Sequence, residues 1–429
     1  MLSEKIRFAH SAEEQLGEDL SVGEEVPFSD GHYATATHPS PEVSIGDVQD
    51  ALIRPVEVLK RTFSIHSVVS TSSRFADRMM KATLNSEVHL NVIGRGTCGT
   101  VFEVPGQEIA FKKGRDKDAL WNDVNFTSMA CNAVIETRSS LENLFRNISI
   151  PRIPVVQAWV RAEDLGQWWK ENKARFPKGD DEEGYIFQVQ RILPLAKSSR
   201  IAIIQLYFPK DIRDVAMKDP INQACLIRPY LGKRRGEWEL DNTPNTLENF
   251  PLYLDQLEEI GLDLDQYAVE MGVGLAIIHW KAHLDSMDVE FVIGSRTTRP
   301  EFSLLAPENS KPFSVPPGNF KRRQTHLWIL DFDKCKRLDI NKWEDTRRQM
   351  VTAVTCNDPY FPDPAATGLL EKRIWKCFEG AYVKTAIFLL KIQLMRKHQN
   401  VVHEFLEDWK KRAAEKLQYA DGSFIEFGY

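Results

Sequence analysis

The stretch "NVIGRGTCGTVFEVPGQEIAFKKG", residues 91–114, reads as short strands on either side of a glycine cluster, with a lysine pair closing the last of them. Glycine permits tight turns and lets backbone N–H groups come close to a ligand. A G-x-G-x-x-G pattern alone does not separate a phosphate-cradling loop from a glycine-rich hairpin. The reading therefore depends on what surrounds it.

The chain has 429 residues, 42% of them hydrophobic and 10% aromatic, enough for one large two-lobed unit or for two domains with real cores. Lys and Arg number 55 against 61 Asp and Glu, a formal charge of −6, which argues against a nucleic-acid binder held by bulk electrostatics. The clusters Lys233-Arg234-Arg235 and Lys321-Arg322-Arg323 are short and read as solvated loop charge. Six cysteines (Cys98, Cys131, Cys225, Cys335, Cys356, Cys377) form no CxxC pair and no Cys/His cluster of zinc spacing. The start, "MLSEKIRFAHSAEEQLGEDL", has acids where a leader would need an apolar core, and the late run "TAIFLLKIQLM" is too short to span a bilayer. These features lead us to expect a soluble, intracellular protein of the cytoplasm or nucleus, with no membrane, nucleic-acid or zinc partner.

Residues 1–85 are polar and turn-rich with some helical pattern ("IGDVQDALIRPVEVLKRTF"), and read as a variable, partly disordered arm. Strands follow from Glu87, then "KDALWNDVNFTSMACNAVIETRSSLENLF", whose apolar spacing suits a helix, and the strand "GYIFQVQRILPL". Beyond this point helices dominate, interrupted by the apolar stretches "VEFVIG" and "HLWILDF". The turn-rich segment 294–326 between those two stretches reads as a loop insertion. The expectation is an α+β, bilobal chain: a small β-rich N-lobe at 86–190 and a larger, mainly helical C-lobe at 191–429.

Three further features stand in order with the glycine cluster. Gly94, Gly96, Gly99 and Val101 fit G-x-G-x-x-G-x-V, and Ile109-Ala110-Phe111-Lys112 fits a strand ending in a phosphate-pairing lysine. The short turn at Pro105-Gly106 leaves the register between Lys112 and Lys113 open. "HLDSMDVEFVI", from His283, aligns without a gap on H-x-D-x-x-x-x-N followed by three apolar residues, and "LWILDFDK" is an apolar strand delivering Asp331-Phe332-Asp333. Together these motifs resemble the protein-kinase-like superfamily, particularly its aminoglycoside and choline kinase branch. The chain also resembles a fungal family of kinase-like pattern whose members often carry the label "zinc finger protein".

The resemblance, over residues 86–429, implies ATP and Mg²⁺ as cofactors and a small molecule or a protein as acceptor. It implies that Lys112 and the glycines meet phosphate, that Asp285 serves the acceptor hydroxyl, and that Glu290 and Asp331 hold the metal. An acidic partner for the lysine is expected on the following helix, with Asp123 preferred and Glu136 the alternative. Departures from the pattern are Leu284 for the arginine of H-R-D, Met287 for a phosphate-contacting lysine, Glu290 for asparagine and Asp333 for the glycine of Asp-Phe-Gly. Two readings follow, an active phosphotransferase or a pseudokinase-type interaction module, and a nucleic-acid-associated regulator ranks behind both.

Overall fold

The computed structural model describes residues 43–44, 53–64, 68–70, 77–79, 81, 89–145, 148–297, 320–395 and 398–421. It is a mixed α/β structure with two sheets. The first sheet has the strand order β3-β4-β5-β7-β6, from β3 (Asn91–Gly96), β4 (Gly99–Glu103), β5 (Ile109–Gly114), β6 (Val156–Trp159) and β7 (Tyr185–Gln190), all neighbours antiparallel. Period-two alternation sends Phe102, Phe111 and Ile186 to one face, where they pack with Trp169 and Phe176.

Helix α2 (Lys117–Leu144) crosses the other face. Asp116 starts it by accepting from the backbone N–H groups of Asp118 (2.8 Å) and Ala119 (3.0 Å), which satisfies donors that have no partner inside the helix. Its first turns bury Leu120 and Val124 against Phe187 of the sheet, and its later turns carry Phe126, Ala130 and Val134 into the main core. α2 thereby ties the first sheet to the rest of the fold.

The second sheet runs β1-β2-β11-β10-β8-β9, from β1 (Val43–Ser44), β2 (Val68–Ser70), β8 (Ile227–Tyr230), β9 (Phe250–Tyr253), β10 (Glu290–Thr297) and β11 (Arg322–Leu330). β10 and β11 are paired throughout, from Glu290 opposite Leu330 to Thr297 opposite Arg323. The ends of the segment expected as a loop insertion, 294–297 and 322–326, are therefore strand. The pairing continues because Val292, Ile293, Leu327 and Ile329 point their apolar side chains into buried layers. Residues 298–319 lie outside the described residues.

Helix α1 (Pro55–Phe63) lies between β1 and β2, and α3 (Leu165–Asn172), α4 (Lys197–Tyr207), α5 (Arg213–Lys218), α6 (Glu237–Asp241) and α7 (Leu254–Ile260) also lie between strands. The centre of the core is α8 (Leu264–Trp280), packed on α10 (Leu369–Ile392) and followed in the chain's last part by α9 (Trp343–Cys356) and α11 (Gln399–Asp421). α8 and α10 approach so closely that a Cβ at Gly272 would lie 2.5 Å from the carbonyl oxygen of Phe378. Among the described residues no helix is long and apolar enough to cross a membrane.

α1 falls inside the stretch expected as an accessory arm, yet it belongs to the core. Leu59 and Phe63 are fully buried, the Phe63 carbonyl accepts from the Tyr267 hydroxyl at 2.7 Å, and the Thr62 carbonyl accepts from Thr325 at 2.8 Å. Residues 1–42 of the expected arm lie outside the described residues.

One buried acid gives the core a pH signature. Glu270 of α8 is fully buried, and its Oε1 accepts from the Ser149 backbone N–H (3.1 Å) and from Gln266 Nε2 (3.0 Å). Burial pushes its carboxyl up to about 8 from 4.5, with those two hydrogen bonds opposing the rise. Between these values the folded chain holds a proton that the unfolded chain gives up, so stability present at low pH is lost as pH rises through about 8. Glu270→Gln, which keeps the accepting oxygen and cannot ionise, is expected to exceed wild type in denaturant-unfolding stability at pH 8.5 by on the order of 2 kcal/mol or more. The two should converge towards pH 4.5, and equal pH slopes would refute the assignment.

Candidate functional site

Lys112 lies on β5, opposite Val101 of β4 and Phe187 of β7. Its ammonium donates to Asp123 Oδ2 at 2.6 Å and to Asp331 Oδ1 at 3.0 Å, joining groups 219 residues apart in the chain. Burial opposes its charge, but the pull of Asp123 and then Asp331 outweighs it and lifts the lysine above its ordinary range. Asp123 is buried and also accepts from Thr127 at 3.0 Å. Glu136, the alternative partner, instead pairs with Lys281 at 2.7 Å. Alternation along β5 turns Lys113 to the opposite face, where it donates to the Asp180 and Glu182 carbonyls and lies 5.6 Å over the Trp169 ring.

The glycine cluster forms the β3–β4 turn, with Gly96 opposite Gly99. Gly99 has φ +156°, and a Cβ there would lie 2.1 Å from the Lys113 carbonyl oxygen, so this position accepts only glycine. A Cβ at Gly94 or Gly96 would have its nearest neighbour 4.0 Å away, so both leave room beside the loop. The thiol of Cys98, at the loop tip, donates to Asp333 Oδ2. Burial and that bond push this thiol up to about 12.

The chain from His279 to Glu290 folds back on itself. His283 (φ 54°), Ser286 (φ 64°) and Asp288 (φ 59°) all take left-handed backbone, as does Asp331 (φ 66°) at the end of β11. Such conformations cost non-glycine residues on the order of 1 kcal/mol or more each and persist where neighbours enforce them. Buried His279 is one such neighbour: its Nδ1 lies 2.8 Å from the Tyr382 hydroxyl and its Nε2 3.3 Å from Ser286 Oγ. Burial lowers its imidazole to about 3, so it remains neutral.

Asp285, expected beside the acceptor, is 1% exposed. Its Oδ1 accepts from the backbone N–H groups of Met287 (3.1 Å) and Lys336 (2.9 Å), and its Oδ2 from Gln349 Nε2 (2.8 Å). These bonds occupy both oxygens and make the side chain a brace between the loop and α9. Glu290 is ion-paired with Arg228, and burial pushes its carboxyl up to about 7 against the pull of that arginine. Three other acids converge. Oxygens of Asp288, Asp331 and Asp333 lie within 4.8 Å of one another, the first paired with Lys334 and the second with Lys112. Asp333 is 8% exposed, and its Oδ1 is buried with no hydrogen-bond partner.

Of the two acids expected at a metal, Asp331 lies in this group with Asp288 and Asp333, and Glu290 lies outside it, paired with Arg228. The motif pattern gives Asp288 no role, and Asp333 stands in it only as a departure from glycine. The signal for both was available as a short-range acid excess, "DSMD" followed by "DFD". The left-handed turns that bring the two segments together leave no trace in residue spacing.

A family model, DUF3669, described as "Zinc finger protein", matches residues 327–393. That segment carries Asp331, Asp333, Gln349 and Asn357 together with the free cysteines Cys335, Cys356 and Cys377. Among the described residues the group able to hold an ion consists of three carboxylates, with no cysteine or histidine. No curated protein and no solved structure matches the chain.

Proposed function

We propose that this chain is a kinase-like phosphotransferase that uses ATP and Mg²⁺, with the nucleotide phosphates between the β3–β4 turn and the Asp331 end of β11. The observation that carries this reading is Lys112, half-buried on the strand beside the glycine hairpin and shared between an acid on the next helix and an acid at the end of a distant strand. A five-stranded sheet with one long helix, ahead of a mainly helical part, agrees with a bilobal kinase-like fold.

The carboxylates fit Mg²⁺. They offer hard oxygen donors, they carry more negative charge than Lys112 and Lys334 offset, and one buried oxygen of Asp333 has no partner. Asp331 and Asp333 would hold the ion, which when bound offsets the charge on the β and γ phosphates. Backbone N–H groups of residues 94–99 and the Lys112 ammonium contribute further positive potential to the phosphates. Asp288, the most exposed acid of the three, would add its negative charge to the ion's surroundings and, with an acceptor in place, would orient the acceptor hydroxyl and accept its proton.

A second reading, nucleotide binding without turnover, draws on Glu290, whose pairing with Arg228 withdraws it from the metal position that the motif assigns to it. Calorimetric titration and thermal melting with Mg·ATP test the first step common to both. At a hundred times its dissociation constant the ligand is expected to add about 2.7 kcal/mol of stability. Lys112→Ala should abolish most of that gain, and no shift in wild type at millimolar nucleotide would refute nucleotide binding. Phosphate release from ATP, measured on the same protein, separates enzyme from binding module.

A further inference from the structure

One side chain from another element bonds the backbone of both left-handed residues in the Asp288 turn. Asn357 ends α9, its own N–H returning to the Ala353 carbonyl at 3.1 Å. Its Oδ1 accepts from the Asp288 N–H at 2.7 Å, and its Nδ2 donates to the Ser286 carbonyl at 2.8 Å. The two residues it grips, at φ 64° and φ 59°, flank Met287 at the tip of the turn. Extended or helical backbone at either residue would carry the Asp288 carboxylate away from Asp331 and Asp333. Gln349, two turns earlier on α9, grips Asp285 in the same turn at 2.8 Å.

We propose that Asn357 is the positioning residue of the acidic site: its amide holds the 286–288 turn in the one conformation that keeps Asp288 within reach of Asp331 and Asp333. The inference rests on the metal-site reading given above and adds to it a residue that touches neither metal nor substrate. α9 then has a defined task, with Gln349 fixing the start of the turn and Asn357 its end. The conformation of the loop that carries Asp288 is set by the segment that supplies Asp331 and Asp333.

The test uses the full-length chain and Mn²⁺ alone, titrated by electron paramagnetic resonance, with Asn357→Ala, Asp288→Asn and the double variant. Asn357→Ala and Asp288→Asn are each expected to weaken Mn²⁺ binding by about 3- to 10-fold, and the double variant by no more than the worse single, because both changes remove the same carboxylate from the site. Asn357→Asp, which keeps the acceptor for the Asp288 N–H and loses the donor to Ser286, should recover part of the affinity. Gln349→Ala serves as the comparison for a loss of packing at the same helix, and should lower the melting temperature with a smaller effect on Mn²⁺. Multiplying effects in the double variant, or wild-type affinity in Asn357→Ala, overturns the proposal. If wild type itself binds no Mn²⁺, the metal-site reading fails and this inference falls with it, an outcome distinct from multiplying effects in a protein that does bind. Should Asn357→Ala not fold, the Asn357→Asp and Asp288→Asn pair carries the same cycle.

Discussion

Asp288→Asn is expected to slow ATP turnover by about 10²–10⁴-fold, the usual worth of a positioned proton acceptor, while Mg·ATP affinity stays within about fivefold. Asp285→Asn separates this assignment from the one that residue spacing favours. Both changes remove one negative charge, so a general electrostatic effect would appear equally in the two. Asp285 is buried with both oxygens occupied by Met287, Lys336 and Gln349, and cannot reach an acceptor without breaking those bonds. Its replacement turns one charged acceptor into an amide donor facing donors, which should cost about 1–3 kcal/mol of stability. Steady-state phosphate release, set beside thermal melting of both variants, decides. Rapid turnover in Asp288→Asn together with loss of turnover in a fully folded Asp285→Asn would return the catalytic role to Asp285.

Phe63→Ala is expected to destabilise the protein by about 3–5 kcal/mol, the range for removing a fully buried aromatic ring from a core that cannot close around the gap. The reason lies in what α1 touches. Val58, Leu59 and Phe63 share one buried face, and the carbonyls at the end of the helix accept from Tyr267 of α8 and Thr325 of β11. Lys60 and Arg61, on the outward side of the same helix, can be replaced by alanine with changes near zero. Urea unfolding of the three variants measures the contrast. A loss below about 1 kcal/mol in Phe63→Ala would show that α1 is an accessory after all.

What could be read from the chain in advance divides along a physical line. The strand, turn and strand around Lys112 were legible because they are set by contacts between residues close in sequence, whereas the choice between Lys112 and Lys113 stayed open until the pairing of β5 with β4 turned Lys112 toward Asp123. Asp123 was legible for the same reason, standing two turns into the helix that follows. Asp331 was legible as the polar end of an apolar strand. The path of the 283–290 segment was not, since an ungapped motif assumes a regular backbone, and left-handed residues at 283, 286 and 288 redirect it without altering the spacing. α1 was obscured by its nine-residue length and polar surroundings, because the residues that bury it lie well over a hundred positions downstream. The hairpin of β10 and β11 was truncated in the sequence reading because turn-forming residues near 298–319 coloured the ends of the strands.

The ion pairs of Lys112 fasten together two distant parts of the chain. Asp123 sits in the same stretch of chain as the lysine, buried and held by Thr127, whereas Asp331 belongs to the other sheet and its side chain is 29% exposed. On the proposed reading, an anion that claimed the ammonium would take it from the looser of the two partners, and loading the site would unfasten the Lys112–Asp331 crosslink. Occupancy would then become a mechanical variable. A pair of spin labels, one on the outer face of α2 and one on α9, would register ligand arrival as a broadened distance distribution, and Asp331→Asn would show that broadening with nothing bound.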